Sequence, residues 1–152
     1  MAIKTLSELK KLVPLFKKEG KKVVFTNGCF DLIHAGHIKL LERARKLGDV
    51  LIVGLNSDGS VRRLKGKGRP IVPQSDRARI LDSIKYVDYV VIFKEDTPLK
   101  LIKELRPDVL VKGGDYKLKE IVGHDIVPKV VRVKLLSNRS TTSLINKIKR
   151  NL

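Results

Sequence analysis

The sequence predicts an α/β fold: a doubly wound sheet of about five parallel strands with helices on both faces. Two observations carry this. Short apolar, β-branched runs recur along the 152 residues, and the stretches between them place apolar residues near helical spacing. The runs are also nearly continuous in their apolar character, as expected of parallel strands covered on both faces and joined by right-handed crossovers.

The elements follow in order. Thr5 with Glu8 forms a capping-box pattern that opens an amphipathic helix ending near Gly20, with Pro14 a candidate kink. KVVFTN (22–27) and VLIVGL (50–55) read as strands, and GHIKLLERARKLG between them as the crossover helix. VRRLKGKGR (61–69) carries five cations, two glycines and no acid, and reads as a mobile basic loop. Ser75 then caps a helix through Lys85, and DYVVIF (88–93) is the next strand. Thr97-Pro98 supplies a cap followed by proline at the first helical position, and that helix stops before Arg106-Pro107. DVLVKGG (108–114) and VVRVKLL (130–136) give the last strands and residues 141–150 a closing helix, while 117–129 has no decided pattern. The whole of 1–152 is one domain's length, divided into an N-terminal helix (1–19) and a core (20–152).

Composition excludes several classes. No apolar stretch approaches the roughly 20 residues that span a bilayer, and lysine and glutamate interrupt the first twenty positions, so neither a membrane span nor a leader is expected. A single cysteine, Cys29, precludes an internal disulfide, and a cytoplasmic protein is expected. The net charge of +17 suits an anionic partner. With seven Phe and Tyr, no Trp and no helix-turn-helix, RNP or zinc pattern, a nucleic-acid module is the weaker explanation of that charge.

Two of the three histidines lie three positions apart in FDLIHAGHIKL (30–40), where the first strand gives way to the first crossover helix. Ligands of open parallel sheets bind outside the carboxyl ends of the strands, near a switch point, and this segment satisfies that rule. Gly28 allows a tight turn, Gly36 allows a ligand close to the helix start, and helix-start amides suit a phosphate. His34 and His37 can each donate to a phosphate oxygen, and phosphate charge would favour their protonation. Other readings stand beside this one. A zinc pair would want i, i+4 spacing and a third ligand, a ligand-free structural pair is possible, and Cys29 with a histidine base lacks an orienting residue.

The segment NGCFDLIHAGHIKLLERARKLGD resembles the signature of the cytidylyltransferase-like nucleotidyltransferases, whose HxGH motif binds nucleotide phosphates. The further blocks NSDGSVRRLKGKGRPI, KYVDYVVIFKEDTP, RPDVLVKGGDY and SNRSTTSLI are most similar to the heptose 1-phosphate adenylyltransferase domain, over about residues 20–149. The resemblance implies a Rossmann-like fold and transfer of AMP from ATP to a sugar 1-phosphate, D-glycero-D-manno-heptose 1-phosphate, with release of pyrophosphate. It further implies magnesium with ATP, no assigned protein ligand to the metal, and a homodimer. No room remains beside this domain for the sugar kinase to which it is fused in many organisms, so a stand-alone transferase is expected.

By that resemblance His34, His37, Lys65 and Arg77 are the candidate catalytic residues. Nucleotide binding falls to Asn27, Gly28, Cys29, Phe30 and Gly36, to Lys112, Gly113, Gly114 and Asp115, and to Ser140, Thr141 and Thr142. Asp31 and Asp58 are candidate substrate ligands, orienting sugar hydroxyls. Blander roles stay open: a solvated loop lysine for Lys65, a surface arginine for Arg77, and turn caps for Asp31 and Asp58. A plain turn would also account for the KGGDY block, and a helix cap for Ser140 to Thr142. Related cytidylyltransferases carry an arginine several residues before S-T-T, whereas here Leu135 stands near that spacing and Arg139 directly precedes Ser140. Glycerol-3-phosphate cytidylyltransferase and archaeal-type FAD synthase are the rival specificities.

Overall fold

The computed structural model describes residues 2–135 and 140–152. Five strands form one parallel sheet: β1 (Val23–Gly28), β2 (Val50–Asn56), β3 (Tyr89–Phe93), β4 (Val109–Gly113) and β5 (Lys129–Val133), in the spatial order β3-β2-β1-β4-β5. The order reverses direction between β1 and β4, which sets the switch point there. The doubly wound α/β expectation therefore holds.

The helices are α1 (Leu6–Lys18), α2 (Ala35–Arg45), α3 (Asp58–Lys65), α4 (Gln74–Asp82), α5 (Leu99–Leu105) and α6 (Thr141–Arg150). Strand side chains alternate between the two faces. Val24, Leu51, Val53, Val90, Val109 and Val111 pack with Leu40, Leu41 and Ala44 of α2 and with Ala78 and Leu81 of α4. On the other face Val23, Phe25, Ile52, Val91 and Leu110 pack with Leu9 and Val13 of α1 and with Leu101, Ile102 and Leu105 of α5.

The Thr5 capping box forms as read, with Glu8 N–H donating to Thr5 Oγ1 at 3.2 Å and Thr5 N–H donating to the Glu8 carboxylate at 2.7 Å. Away from the cleft, an aspartate preceding a strand latches the first residues of its neighbour in three places. Asp49 accepts from Lys22 N–H, Asp88 from Leu51 N–H and Asp108 from Val23 N–H, at 2.7 to 2.8 Å. The residues ahead of α1 also pair with the sheet, since Lys4 N–H donates to the Val90 carbonyl at 2.8 Å and Val90 N–H donates to that of Ala2 at 3.0 Å.

Three local expectations are corrected. The basic stretch 61–69 is not a loop throughout, because α3 includes Val61 to Lys65. Ser57 Oγ caps that helix by accepting from Ser60 N–H at 3.2 Å, buried Val61 anchors it, and Arg62, Arg63 and Lys65 in the last turn suit its negative end. Gly66, at φ +96°, ends it in a conformation that side chains rarely adopt. Ser75 is not a cap, because α4 begins at Gln74 behind Pro73, with no side-chain cap bond, and ends at Asp82 rather than Lys85. Pro98, not Thr97, is the cap residue of α5. Within 117–129, Leu118–Glu120 is a single 3-10 turn.

Candidate active site

Where β1 ends, the chain passes through Cys29 and Phe30 into α2. Phe30 adopts φ +46°, an uncommon conformation for a bulky aromatic, and it is held there from several sides. Its side chain is buried, with its ring 5.2 Å from that of His37. The carbonyl before it, of Cys29, accepts from Arg77 Nη1 at 2.6 Å, and the carboxylate after it, of Asp31, is fixed by three donors.

His34 is the N-cap of α2 through its ring: Gly36 N–H donates to His34 Nδ1 at 3.0 Å, and His34 N–H donates to His37 Nδ1 at 3.2 Å. A backbone N–H can only donate, so each neutral ring accepts at Nδ1 and carries its proton on Nε2. The ring centroids lie 3.9 Å apart, so protonation of one opposes that of the other. Burial, and secondarily the neighbouring His34, push the His37 pKa down from 6.5 to about 4. In the protein alone His37 is a neutral Nε2–H donor, where phosphate charge would have favoured imidazolium. Its folded pKa lies below the unfolded value, so its contribution to stability is present above about pH 6.5 and lost as pH falls through about 4. An imidazole titration followed by NMR is expected to place the free-protein midpoint near 4 and to move it upward when ATP binds; a midpoint near 6.5 in the free protein would show that the ring is solvated.

Asp31 and Arg77 depart from their expected roles. Asp31 is only 2% exposed and accepts from Ile71 N–H and Val72 N–H at 2.9 Å and from Arg69 Nε at 3.0 Å, so its carboxylate ties the segment 69–72 to the end of β1. Burial raises its pKa, but the Val72 and Ile71 amides and Arg69 together outweigh that and hold it below the ordinary carboxylate value. It is committed to the protein, leaving little for sugar hydroxyls. Asp31→Ala is expected to release the Ile71 and Val72 amides to fast hydrogen exchange; unchanged protection of both would remove this role.

Arg77 has no exposed surface. Its Nε donates to the Val72 carbonyl at 2.8 Å, Nη1 to Cys29 and Asn56 carbonyls at 2.6 and 2.9 Å, and Nη2 to Asp58 Oδ1 at 2.8 Å. It joins the ends of β1 and β2 to α3 and α4 and does not face the cleft. Asp58 completes this brace: its carboxylate takes Arg77 and its N–H donates to Gln74 Oε1 at 2.8 Å, which corrects its reading as a sugar ligand.

A cleft of about 620 Å³ opens at the carboxyl ends of the strands. It is lined by Asn27, Gly28, Cys29, Phe30, Gly36 and both histidines, by Lys65 at the end of α3, and by Lys112 and Gly113 of β4. Ser140, Thr141 and Thr142 close another side at the start of α6. Ser140 Oγ caps that helix, accepting from Ser143 N–H at 3.0 Å, so the cap reading of the S-T-T block is realised at the cleft itself. Arg139 lies outside the described residues. Gly114 and Asp115 do not line the cleft; Gly114, at φ +115°, turns the chain where a Cβ would meet the Tyr116 ring at 3.0 Å. Burial raises the Cys29 thiol pKa, which opposes a nucleophilic role.

The description Cytidylyltransferase-like matches residues 25–147. The chain belongs to this family of nucleotidyltransferases. Over 147 residues, 97% of the chain, it is 59% identical to the Bifunctional protein HldE of Campylobacter concisus, and over 149 residues, 98% of the chain, 56% identical to that of Aliarcobacter butzleri. In both cases it spans 31% of the relative's length. Among solved structures, the lipopolysaccharide core biosynthesis protein from Thermoplasma volcanium superposes with TM-score 0.66 at 32% identity, covering 78% of this chain and 100% of that one. A pantoate-beta-alanine ligase from Francisella tularensis, at TM-score 0.64 and 18% identity, covers 99% of this chain and 78% of that one, and shares the fold.

The cleft contains residues that sequence reasoning did not select. Arg69, Asn56, Asp96 and Glu120 all line it, beside Tyr116 of the KGGDY block. Arg69 sits in the basic stretch that was singled out, but nothing local pairs it with Asp31, 38 positions away. Among the described residues no helix is long and apolar enough to cross a membrane.

Proposed function

We propose that the chain transfers AMP from ATP to D-glycero-D-manno-heptose 1-phosphate, giving ADP-heptose and pyrophosphate. The observation that carries the reading is the pairing of two Nε2–H imidazoles on the β1–α2 connection with Lys65 across one cleft, at the switch point of the sheet. An acceptor phosphate oxygen, already anionic, forms a bond to the α-phosphorus of ATP as the bond to the pyrophosphate oxygen breaks. No general base is required, and the main obstacle is repulsion between two polyanions. Neutral imidazole donors and lysine ammoniums answer that obstacle by hydrogen bonding and charge, holding the reactants in line. The adenylyl donor and the heptose acceptor rest on the resemblance of the RLKG and VKGGDY blocks.

Magnesium would enter with ATP. Among the described residues no group of three or more His, Cys, Asp or Glu side chains could hold a metal ion, and Asp31 is already engaged by Arg69. That donor set fits a cation carried by phosphates, as is usual for magnesium, better than one caged by protein. When bound, it would supply charge neutralisation at the phosphates. A homodimer in the cytoplasm is the accompanying expectation.

Pyrophosphate release from ATP and from CTP, with magnesium, against both anomers of heptose 1-phosphate, glycerol 3-phosphate and FMN tests the proposal. Release with ATP and one heptose anomer is expected. Release with CTP and glycerol 3-phosphate, or with ATP and FMN, would replace the acceptor and leave the reaction class. Lys65→Ala, at an exposed helix end, is expected to leave the melting temperature unchanged and lower kcat by about 10²-fold. An unchanged rate would make Lys65 a solvated surface residue.

A further inference from the structure

Lys112 reaches the cleft from the side opposite the histidines. On β4, Val109 and Val111 point into the layer that contains α2, while Leu110 points into the layer of α1 and α5. Alternation puts Lys112 on the Leu110 side, so it meets the cleft from beyond the switch point, across from the β1–α2 connection. Its ammonium lies 5.0 Å from the centroid of the Tyr116 ring, which steadies it by a cation–π contact.

Among the described residues no carboxylate pairs with Lys112. The carboxylates that line the cleft are each engaged elsewhere: Asp31 with Arg69, Asp96 with Arg63, and Glu120 with the Lys117 N–H. Among the described residues neither Lys112 nor Lys65 has an ion-pair partner. Burial holds the Lys112 pKa below the ordinary lysine value, opposed by Cys29 and, to a lesser degree, assisted by repulsion from Lys65. A half-buried ammonium without a counter-charge is costly unless an anion arrives to pair with it.

We propose that Lys112 is a phosphate-binding residue, the second arm of a two-sided cation clamp whose first arm is Lys65, so that the nucleotide phosphates lie across the gap between β1 and β4. This rests on the nucleotidyltransferase reading of the same cleft, and it narrows the expectation that Lys112 binds nucleotide to a contact with the phosphates. The two arms come from different elements, Lys65 from the end of α3 and Lys112 from β4, so the phosphates would be neutralised by charges carried on separate parts of the cleft wall.

The test measures binding to the protein alone, without acceptor, by calorimetry with magnesium-ATP and with adenosine, for wild type, Lys112→Gln and Lys112→Arg. Lys112→Gln is expected to weaken ATP by about ten- to a hundredfold, the usual worth of one charged hydrogen bond, and to leave adenosine unchanged. Lys112→Arg, which keeps the charge, is expected to recover most of the loss. Equal weakening of ATP and adenosine would make Lys112 a wall of the base or ribose site, and unchanged ATP affinity would make it structural; either result overturns the proposal. Melting temperatures identify a variant that fails to fold, and the arginine variant then decides between charge and packing. A wrong acceptor would leave these affinities untouched and show only in turnover, so the two failures are separable.

Discussion

His34→Ala and His37→Ala are each expected to yield a soluble, folded protein whose turnover falls by about 10² to 10³. Both side chains line the cleft, and each ring accepts a backbone N–H at Nδ1, which puts its proton on Nε2. The lost group is then a donor to the reacting phosphates, and its removal acts on kcat. The two positions differ in their side effects. Loss of the His34 ring also removes the N-cap of α2, which costs about 1 kcal/mol, whereas loss of the His37 ring opens space beside buried Phe30. Asparagine at position 34 can restore the cap without the Nε2–H, so His34→Asn is expected to regain stability and not rate. Steady-state pyrophosphate release with matched thermal melts checks this, and wild-type turnover in either folded variant would take that histidine out of the mechanism.

Arg77→Met is expected to behave in the opposite way, losing stability first. The side chain is fully buried and its guanidinium serves three backbone carbonyls and Asp58. Methionine fills similar space but leaves those acceptors unpaired, at a cost of about 3 to 5 kcal/mol. For a chain of this length that corresponds to a fall in melting temperature of roughly 10 °C. Arg77→Lys should not rescue it, because an ammonium cannot reproduce the planar fork that reaches β1, β2 and α3 together. If Arg77→Met instead melted like wild type and lost only ATP turnover, Arg77 would contact phosphate directly and the brace assignment would fall.

The strand positions and the location of the cleft depend on patterns a few residues long, which is why they were legible. Continuous β-branched runs mark strands buried on both faces, and the helical spacing of GHIKLLERARKLG marks a crossover; together they put the HAGH segment at the carboxyl end of β1. The Thr5–Glu8 box was readable because both halves lie within one turn. The limits of α3 and α4 were less so. Two glycines and five cations outweigh Ser57 and Val61 in a local reading, but burial of Val61 settles the helix, and that burial depends on the rest of the fold.

What the sequence determined by itself is the class of fold, the site's address and the identity of its histidines, because each is encoded within one contiguous segment. Which charges face the cleft was decided only by the tertiary structure. Arg77 and Asp58 neutralise each other inside the brace and Arg69 is taken by Asp31, whereas Lys65 and Lys112 remain without ion-pair partners among the described residues. Pairing of that kind joins residues 19 and 38 positions apart, and a charged side chain is free to meet a ligand only where the fold has left it unpaired.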